Sequence, residues 1–346
     1  MKTRSVLCQL LCACTVVLLV MLLRNGNLFV GDLCAPKDYL VNVERAEKLL
    51  ESVHSVAHLA SHESMKYDEN TKVLILRHFH DSPSERETLS FFLKHGIRKT
   101  NFLARNVSVV IVCSGSAFPR EDFQIDDSVI VIERENTGLD FGGYIEALSR
   151  LDWASSYDII VFVNGTLLGP LFPMYRYGED WLSHFTSLLS TYTRLAGITI
   201  NLNIQKDRSM EPHVQSMLYV MERRTLENLR NWGVLVPVPA SLSKDEIIVK
   251  YEVGISKALL QHGYNIASLL PLFQGVDFTK LLASESARQS MMKLSPNSQG
   301  DVWYQKGYFG GPLSPSDTLF VKENRFKWGA NDILAAQMQL FDEMDH

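Results

Sequence analysis

The sequence predicts an α/β domain with a mainly parallel sheet flanked by helices, preceded by an N-terminal transmembrane helix and a helical stem. Three observations carry that expectation. From Thr71 onward, short apolar runs at 72–79, 107–114, 128–133 and 158–164 alternate with segments of helical periodicity, the pattern of strand–helix–strand units. Near the start, 18 residues from Val6 to Leu23 carry no charge. Between these regions lies one amphipathic stretch.

Lys2 and Arg4 precede the apolar run, so the positive-inside tendency leaves residues 1–4 in the cytosol and carries the rest across the membrane. The run approaches the roughly 20 residues that a bilayer core requires. Its rival, a cleaved signal peptide, has a shorter apolar core of about 7–15 residues. Residues 5–23 are therefore read as an uncleaved anchor, 24–70 as the stem and 71–346 as the main domain. In the stem, Val43, Ala46, Leu50, Val53 and Ala57 recur at three-and-four spacing, which predicts a helix. That helix either pairs two copies into a homodimer or packs on the main domain. Of five cysteines, Cys8, Cys12 and Cys14 fall in the anchor. Cys34 and Cys113 have no metal-ligand spacing; they could pair, or Cys113 could simply be buried. Asn106 and Asn164 open glycosylation sequons.

In the main domain, Ser84 with a Glu three residues later suggests a capping box opening a helix. A second helix is expected over 142–153 and a third over 223–233, stopped by Gly233. Residues 194–200 and 213–221 read as strands, 243–264 as mostly helix, and 265–270 as a final strand. A net charge of −5 with no basic run argues against a nucleic-acid partner, which needs a basic face.

Sheets of this class bind ligands beyond the carboxyl ends of their strands, so three segments stand out. The first, RENTGLDFGGY at 134–144, joins a strand to a helix. Gly138 can adopt positive φ, and Gly142 and Gly143 permit close approach of backbone or ligand. The helix start offers N–H groups to phosphate or sugar oxygens. Asp140 either caps that helix or orients a ligand. No dinucleotide fingerprint is present. The second segment ends a strand at Asn164-Gly165-Thr166, where an amide and a hydroxyl can bind a diphosphate or sugar but make a poor site for a hard cation; alternatively it is an Asx turn. In the third, Glu252 lies in a helical run and becomes a base only if it faces the pocket.

These pieces, in order, resemble the rhamnan synthesis protein F family of GT-A-type glycosyltransferases. Asn136, Gly138, Asp140, Phe141, Gly142, Gly143 and Tyr144 match its turn, and the likeness continues through 164–170, 212–217, 251–256 and 320–325, covering roughly 71–326. The family commonly has an acid at the position of Gly165, so a metal assignment is weakened. The resemblance implies a GT-A-like fold and a nucleotide-sugar donor, held by Asn136, Gly138, Gly142, Gly143, Asn164 and Thr166. It implies Glu252 as the catalytic base and Asp140 as a donor-orienting residue, with Asp140 a candidate single ligand to Mn²⁺ or Mg²⁺. His213 and Gln215 would lie near the acceptor or donor sugar; a packed or surface histidine is the alternative. Lys322 and Arg325 would neutralise a diphosphate, or form a solvated basic pair.

The expected function is transfer of a hexose or deoxyhexose from a nucleotide diphosphate to a hydroxyl of a glycan or glycoprotein, with inversion. Dependence on metal should be weak. The enzyme would be a single-pass type II protein of the Golgi or ER membrane. Two other readings remain: a non-catalytic glycan-binding or scaffold protein on the same fold, and a hydrolase using Asp140 and Glu252 as a carboxylate pair.

Overall fold

The computed structural model describes residues 37–97, 102–123, 125, 128–151, 156–172, 176, 178–207, 209–294, 300–303, 313 and 315–322. The expected membrane span at 5–23, Cys34 and Arg325 lie outside them. Among the described residues, no helix is long and apolar enough to cross a membrane.

The described residues begin with α1 (Lys37–Ala57) and then alternate as expected: β1 (Lys72–Phe79), α2 (Pro83–Phe91), β2 (Asn106–Ser114), β3 (Val129–Arg134), α3 (Leu139–Arg150) and β4 (Ile159–Val163). A short β5 (Leu167–Leu168) and α4 (Trp181–Thr186) precede β6 (Thr193–Gly197), β7 (Ile200–Asn201), β8 (His213–Val214) and β9 (Leu218–Glu222). The last part holds α5 (Arg223–Asn231), α6 (Lys244–Ile247), α7 (Gly254–Gln261), β10 (Asn265–Ser268), α8 (Phe278–Ala283), α9 (Glu285–Leu294), α10 (Pro315–Thr318) and β11 (Val321–Lys322). A wider π turn, Ile248–Val253, joins α6 to α7 into one helical run.

Seven strands form the central sheet in the order β10-β6-β9-β4-β1-β2-β3. The fold is thus mixed α/β with a mainly parallel sheet: β3, β2, β1 and β4 run together, as do β6 and β10. Strand β9 runs against both neighbours, β4 and β6. The inner strands read as unbroken apolar runs because helices cover both faces; Val73–Leu76, Val110–Cys113 and Ile159–Val163 are fully buried.

Reversal of β9 decides where the chemistry lies. Val163, the last residue of β4, pairs with Leu218, the first of β9, and Gly197 at the end of β6 pairs with Tyr219. Residues before β9 therefore share an edge with residues after β4 and β6. The strand expected over 213–221 is broken at 215–217. There the Tyr219 hydroxyl donates to the Val214 carbonyl at 3.0 Å, and Gln215 N–H donates to Thr199 O at 3.1 Å. The start of α2 also differs from expectation. Ser82 is the cap, accepting from Glu85 N–H, with proline in the first turn; the Glu85 carboxylate instead accepts from His80 N–H at 2.7 Å.

The amphipathic stem helix exists and is docked. Val53 and Ala57 are fully buried. Past its end, Asp277 N–H donates to Ala57 O and Leu59 N–H to Gly275 O. The packed alternative holds for this face of α1, which turns onto α8 and α9 of its own chain. Burying a Val side chain contributes about 1.5–3 kcal/mol, and a charge there would have no partner. Val53→Asp should therefore lower Tm by several degrees and expose residues 59–70 to protease. Unchanged Tm and digestion would show that α1 is dispensable to the domain.

Candidate active site

Three strand ends and one helical run meet at the carboxyl edge of the sheet. The centre is the turn after β4. Asn164 Oδ1 accepts from Thr166 N–H at 3.0 Å and from the Thr166 hydroxyl at 2.8 Å, an Asx turn. That bonding fixes the amide orientation, and Asn164 Nδ2 then donates to Asp140 Oδ2 at 3.0 Å. Two of the expected donor-side groups and Asp140 are thus joined in one network.

From beneath, the turn is gripped by Arg77 of β1, a fully buried residue. Its guanidinium donates to the carbonyls of Asn164, Gly165 and Leu167, and to Thr88 Oγ1 at 3.1 Å. Its carbon lies 5.2 Å from the centre of the Phe92 ring. Burial pushes its pKa down to about 10, still charged near neutrality.

Gly165, where the resembled family commonly has an acid, has no room for one while Glu85 keeps its present position. A β-carbon there would stand 1.8 Å from Glu85 Oε2 and 2.4 Å from its carboxyl carbon. Glu85 of α2 occupies the space, and burial raises its pKa. Its carboxylate thus reaches the turn from another element. Lys322 is in register with Leu167 through the antiparallel β11–β5 pair, which puts its backbone beside the same turn.

The Asn136–Tyr144 segment is more strained than a simple turn needs. Gly138, at φ 75°, caps α3 without a side-chain bond, and Leu139 also has positive φ, 54°, uncommon for a non-glycine residue. Asp140 lies in the first helical turn and makes no capping bond. The glycines answer to close packing by the chain itself: a β-carbon would come within 2.7 Å of Val238 at Gly138, 2.1 Å of Thr137 O at Gly142 and 3.0 Å of Val112 at Gly143. Asn136 is exposed, with its β-carbon packed beside Gly115 at the end of β2. A cavity of about 470 Å³ opens on the other side of this turn, lined by Arg134, Thr137, Glu146, Arg150 and Val238 among others, but not by Asp140, Asn164 or Glu252. Its Arg134 already bonds Ser114 Oγ, Thr137 O and Glu146.

The π turn before α7 places Glu252 opposite the 213–217 segment. The Ser216 hydroxyl donates to Glu252 Oε2 at 2.7 Å. His213 Nε2 stands 3.8 Å from Glu252 Oε1. A carbonyl can only accept, so the 3.1 Å contact between His213 Nδ1 and Glu211 O puts the neutral ring's proton on Nδ1. Nε2 then presents a lone pair toward Oε1. Gln215 belongs to a neighbouring ring of bonds: Thr199 Oγ1 donates to Gln215 Oε1 at 2.7 Å, Gln215 Nε2 to Asp301 Oδ1 at 3.5 Å, and Trp303 Nε1 to Thr199 Oγ1 at 3.0 Å. Buried Tyr219 lies near both Glu252 and Asp140. Burial first, then the charges of Glu252 and Asp140, hold its hydroxyl well above its ordinary pKa.

Of the residues expected from sequence, the structure joins Asp140, Asn164 and Thr166, and separately His213 and Glu252, with Gln215 adjacent. Arg77, Glu85, Ser216, Thr199, Asp301 and Trp303 were missed. Arg77 had a signal, a charge inside an apolar strand; Ser216 sits within the matched 212–217 segment. Glu85 carried no site signal in sequence.

An α/β domain with carboxylates, amides and a histidine gathered at the carboxyl edge of its sheet has them where open-sheet proteins bind their ligands. The family model of rhamnan synthesis protein F matches residues 109–285, more than half of the chain, and the chain belongs to that family. A search of curated proteins finds no match. Among solved structures, the chain is similar to the mannosyltransferase PcManGT from Pyrobaculum calidifontis in complex with GDP-Man and Mn²⁺, at 13% identity and a TM-score of 0.40, over 67% of this chain and 62% of that one. The chain thus spans less than two thirds of that protein's length. It is also similar to HddC from Yersinia pseudotuberculosis, at 13% identity and a TM-score of 0.29, over 47% of this chain and 80% of that one.

Restoring the family's acid should harm the fold. Gly165→Asp forces a side chain into the Glu85 carboxylate, and overpacking costs about 1–3 kcal/mol. Adding Glu85→Ala should make the double variant more stable than the two single losses predict; strict additivity of Tm losses would remove the clash as cause.

Burial also drives His78, 3.1 Å from Ser114 Oγ, down from 6.5 to about 4 against the attraction of Asp140. Between those values the unfolded chain holds the extra proton, so stability is full above pH 6.5 and falls toward pH 4. Urea titrations across that window should give a shallower pH slope for His78→Gln than for wild type, and equal slopes would acquit His78.

Proposed function

We propose that this chain is a glycosyltransferase of GT-A-like fold. It moves a sugar from a nucleotide-diphosphate donor to a hydroxyl of a glycan or glycoprotein, with inversion. The observation that carries the reading is the facing pair Glu252 Oε1 and His213 Nε2, 3.8 Å apart. With Glu252 Oε2 engaged by Ser216 and His213 Nδ1 by Glu211 O, Oε1 is the carboxylate oxygen left to take the proton of an O–H brought alongside the pair. Family membership supports the same class of reaction.

In this reading the acceptor hydroxyl gives its proton to Glu252 Oε1 as its oxygen attacks the anomeric carbon. The bond from that carbon to the diphosphate breaks, and its electron pair stays on the phosphate oxygen. His213 and Gln215 line the acceptor or donor sugar. Asp140, held by Asn164, orients the donor, and Asn136, Thr166 and Lys322 flank the diphosphate; cationic donors suit its charge.

The donor set tests what a divalent cation would find here. Among the described residues no group of three His, Cys, Asp or Glu could hold one. Asp140 has one carboxylate oxygen bonded to Asn164 and fits a single-ligand role, with diphosphate oxygens and water completing the shell of a Mg²⁺-like ion. Such an ion would supply charge neutralisation on the leaving group.

The test uses the full chain and a panel of UDP-, GDP- and dTDP-sugars, reading release of nucleoside diphosphate. Glu252→Gln should lower kcat/KM by about 10²–10⁴-fold, the usual contribution of a general base. Asp140→Asn, which keeps size, should lower it by about tenfold or more, roughly 1.4 kcal/mol of barrier. Tm should hold in both. Donor binding without turnover in the wild type would favour the non-catalytic reading, and full activity of Glu252→Gln would overturn the assignment of the base.

A further inference from the structure

Glu252 has two carboxylate oxygens, and the structure treats them differently. Oε2 accepts the Ser216 hydroxyl at 2.7 Å, while Oε1 faces His213 Nε2 across 3.8 Å. The Glu252 side chain is only 15% exposed, so the serine bond is screened little by water. Ser216 itself is held in a closed turn. Tyr219 hydroxyl donates to Val214 O, and Val214 N–H donates to Ser256 Oγ at 3.0 Å, which ties the turn to α7 three residues after the π turn ends. The serine and the glutamate therefore sit on two segments pinned to each other by bonds that do not involve either side chain.

We propose that Ser216 is a positioning residue that occupies Glu252 Oε2 and thereby makes Oε1 the proton-accepting atom. The inference deepens the proposed function and rests on Glu252 being its base. A serine that donates to a carboxylate is not acting as a nucleophile relayed through histidine, since its proton points at Glu252 and His213 lies on the other oxygen. It fixes the carboxyl rotation so that Oε1 faces the acceptor hydroxyl. A hydrogen bond donated to a carboxylate favours the ionised form, so the presence of the bond can be read by comparing variants.

Other titratable or charged groups bear on the same carboxylate. His213 faces it from β8. Tyr219 of β9, whose hydroxyl donates mainly to Val214 O, also stands 3.4 Å from the Glu252 backbone carbonyl, and that hydroxyl feels Asp140 of α3. On Glu252's own helical run, Lys250 lies over the Tyr251 ring, and Lys257 pairs with Glu211 at 2.8 Å. Asp301 reaches the neighbourhood through Gln215. Replacing Ser216 changes none of these charges, so a shift in Glu252 titration on its removal reports the lost bond.

The experiment follows the Glu252 carboxyl carbon by NMR of the full chain labelled with ¹³C-glutamate, the signal being assigned as the one absent in Glu252→Gln. In Ser216→Ala its titration midpoint should rise by about one pH unit, the scale expected for losing a hydrogen bond to a charged group. Ser216→Thr keeps a hydroxyl and should keep the midpoint near that of the wild type. A midpoint in Ser216→Ala that is unchanged or lower would overturn the proposal. So would a rise matched by Ser216→Thr with Tm retained in both, since the hydroxyl would then not be the cause. The readout needs no substrate, so it stands apart from the proposed function. A shifted midpoint with a fully active Glu252→Gln would remove the base assignment and leave only the pairing.

Discussion

Arg77 is the constraint on which the candidate site rests. A guanidinium placed at the centre of a sheet must find acceptors for its donors, because an unpaired buried charge costs far more than a neutral polar group. The two terminal nitrogens of Arg77 find them in three backbone carbonyls of the turn after β4 and in Thr88, while Nε is left without a partner. Satisfying the arginine therefore specifies the turn. The turn in turn sets the Asn164 side chain, and Asn164 holds Asp140. Glu85 is part of the same neighbourhood: its charge acts on Arg77, and its carboxylate fills the space above Gly165. One buried cation thus reaches the proposed donor side through backbone geometry, without facing the ligand.

Much of this fold was legible because binary pattern and strand length are strong signals when both sheet faces are covered. The runs at 72–79, 107–114 and 158–164 became β1, β2 and β4 almost as read. The direction of β9 was not legible: an apolar run looks the same whichever way it is traversed, and the turn at 215–217 that breaks it is closed by a tyrosine hydroxyl two residues later. Likewise Ser84 and Ser82 both precede a glutamate by three or fewer residues, and it was Pro83, fixed in a first-turn φ, that selected Ser82.

The site was legible in its residue types and only partly in its geometry. Asp140 and Asn164 stood out as polar groups beside strand ends, Glu252 as an acid inside an amphipathic helical run, and His213 only through the resemblance to the family. What sequence could not supply was pairing across the chain. Asn164 and Asp140 are 24 residues apart and Ser216 and Glu252 are 36 apart; each bond exists because strands were brought side by side. Gly165 is the sharpest case. As a letter it reads as a lost acid. In space the carboxyl group of Glu85, 80 positions earlier in the chain, lies where a β-carbon at Gly165 would go.

The two halves of the proposed site meet because one strand is reversed. Were β9 parallel to β4, its leading residues would lie at the opposite edge of the sheet, a strand length from Asn164. Antiparallel pairing folds them back, so that Asn164 N–H donates to Met217 O at 2.9 Å, directly after Ser216. The helical run then has to bring Glu252 to the same edge, and the π turn does so where a regular helix would carry its side chains at a different angle. Tyr219 records the outcome, since its buried hydroxyl feels both Glu252 and Asp140. Under the proposed function, the base and the donor-orienting carboxylate are thus brought to the same edge of the sheet, near one buried tyrosine that both of them influence.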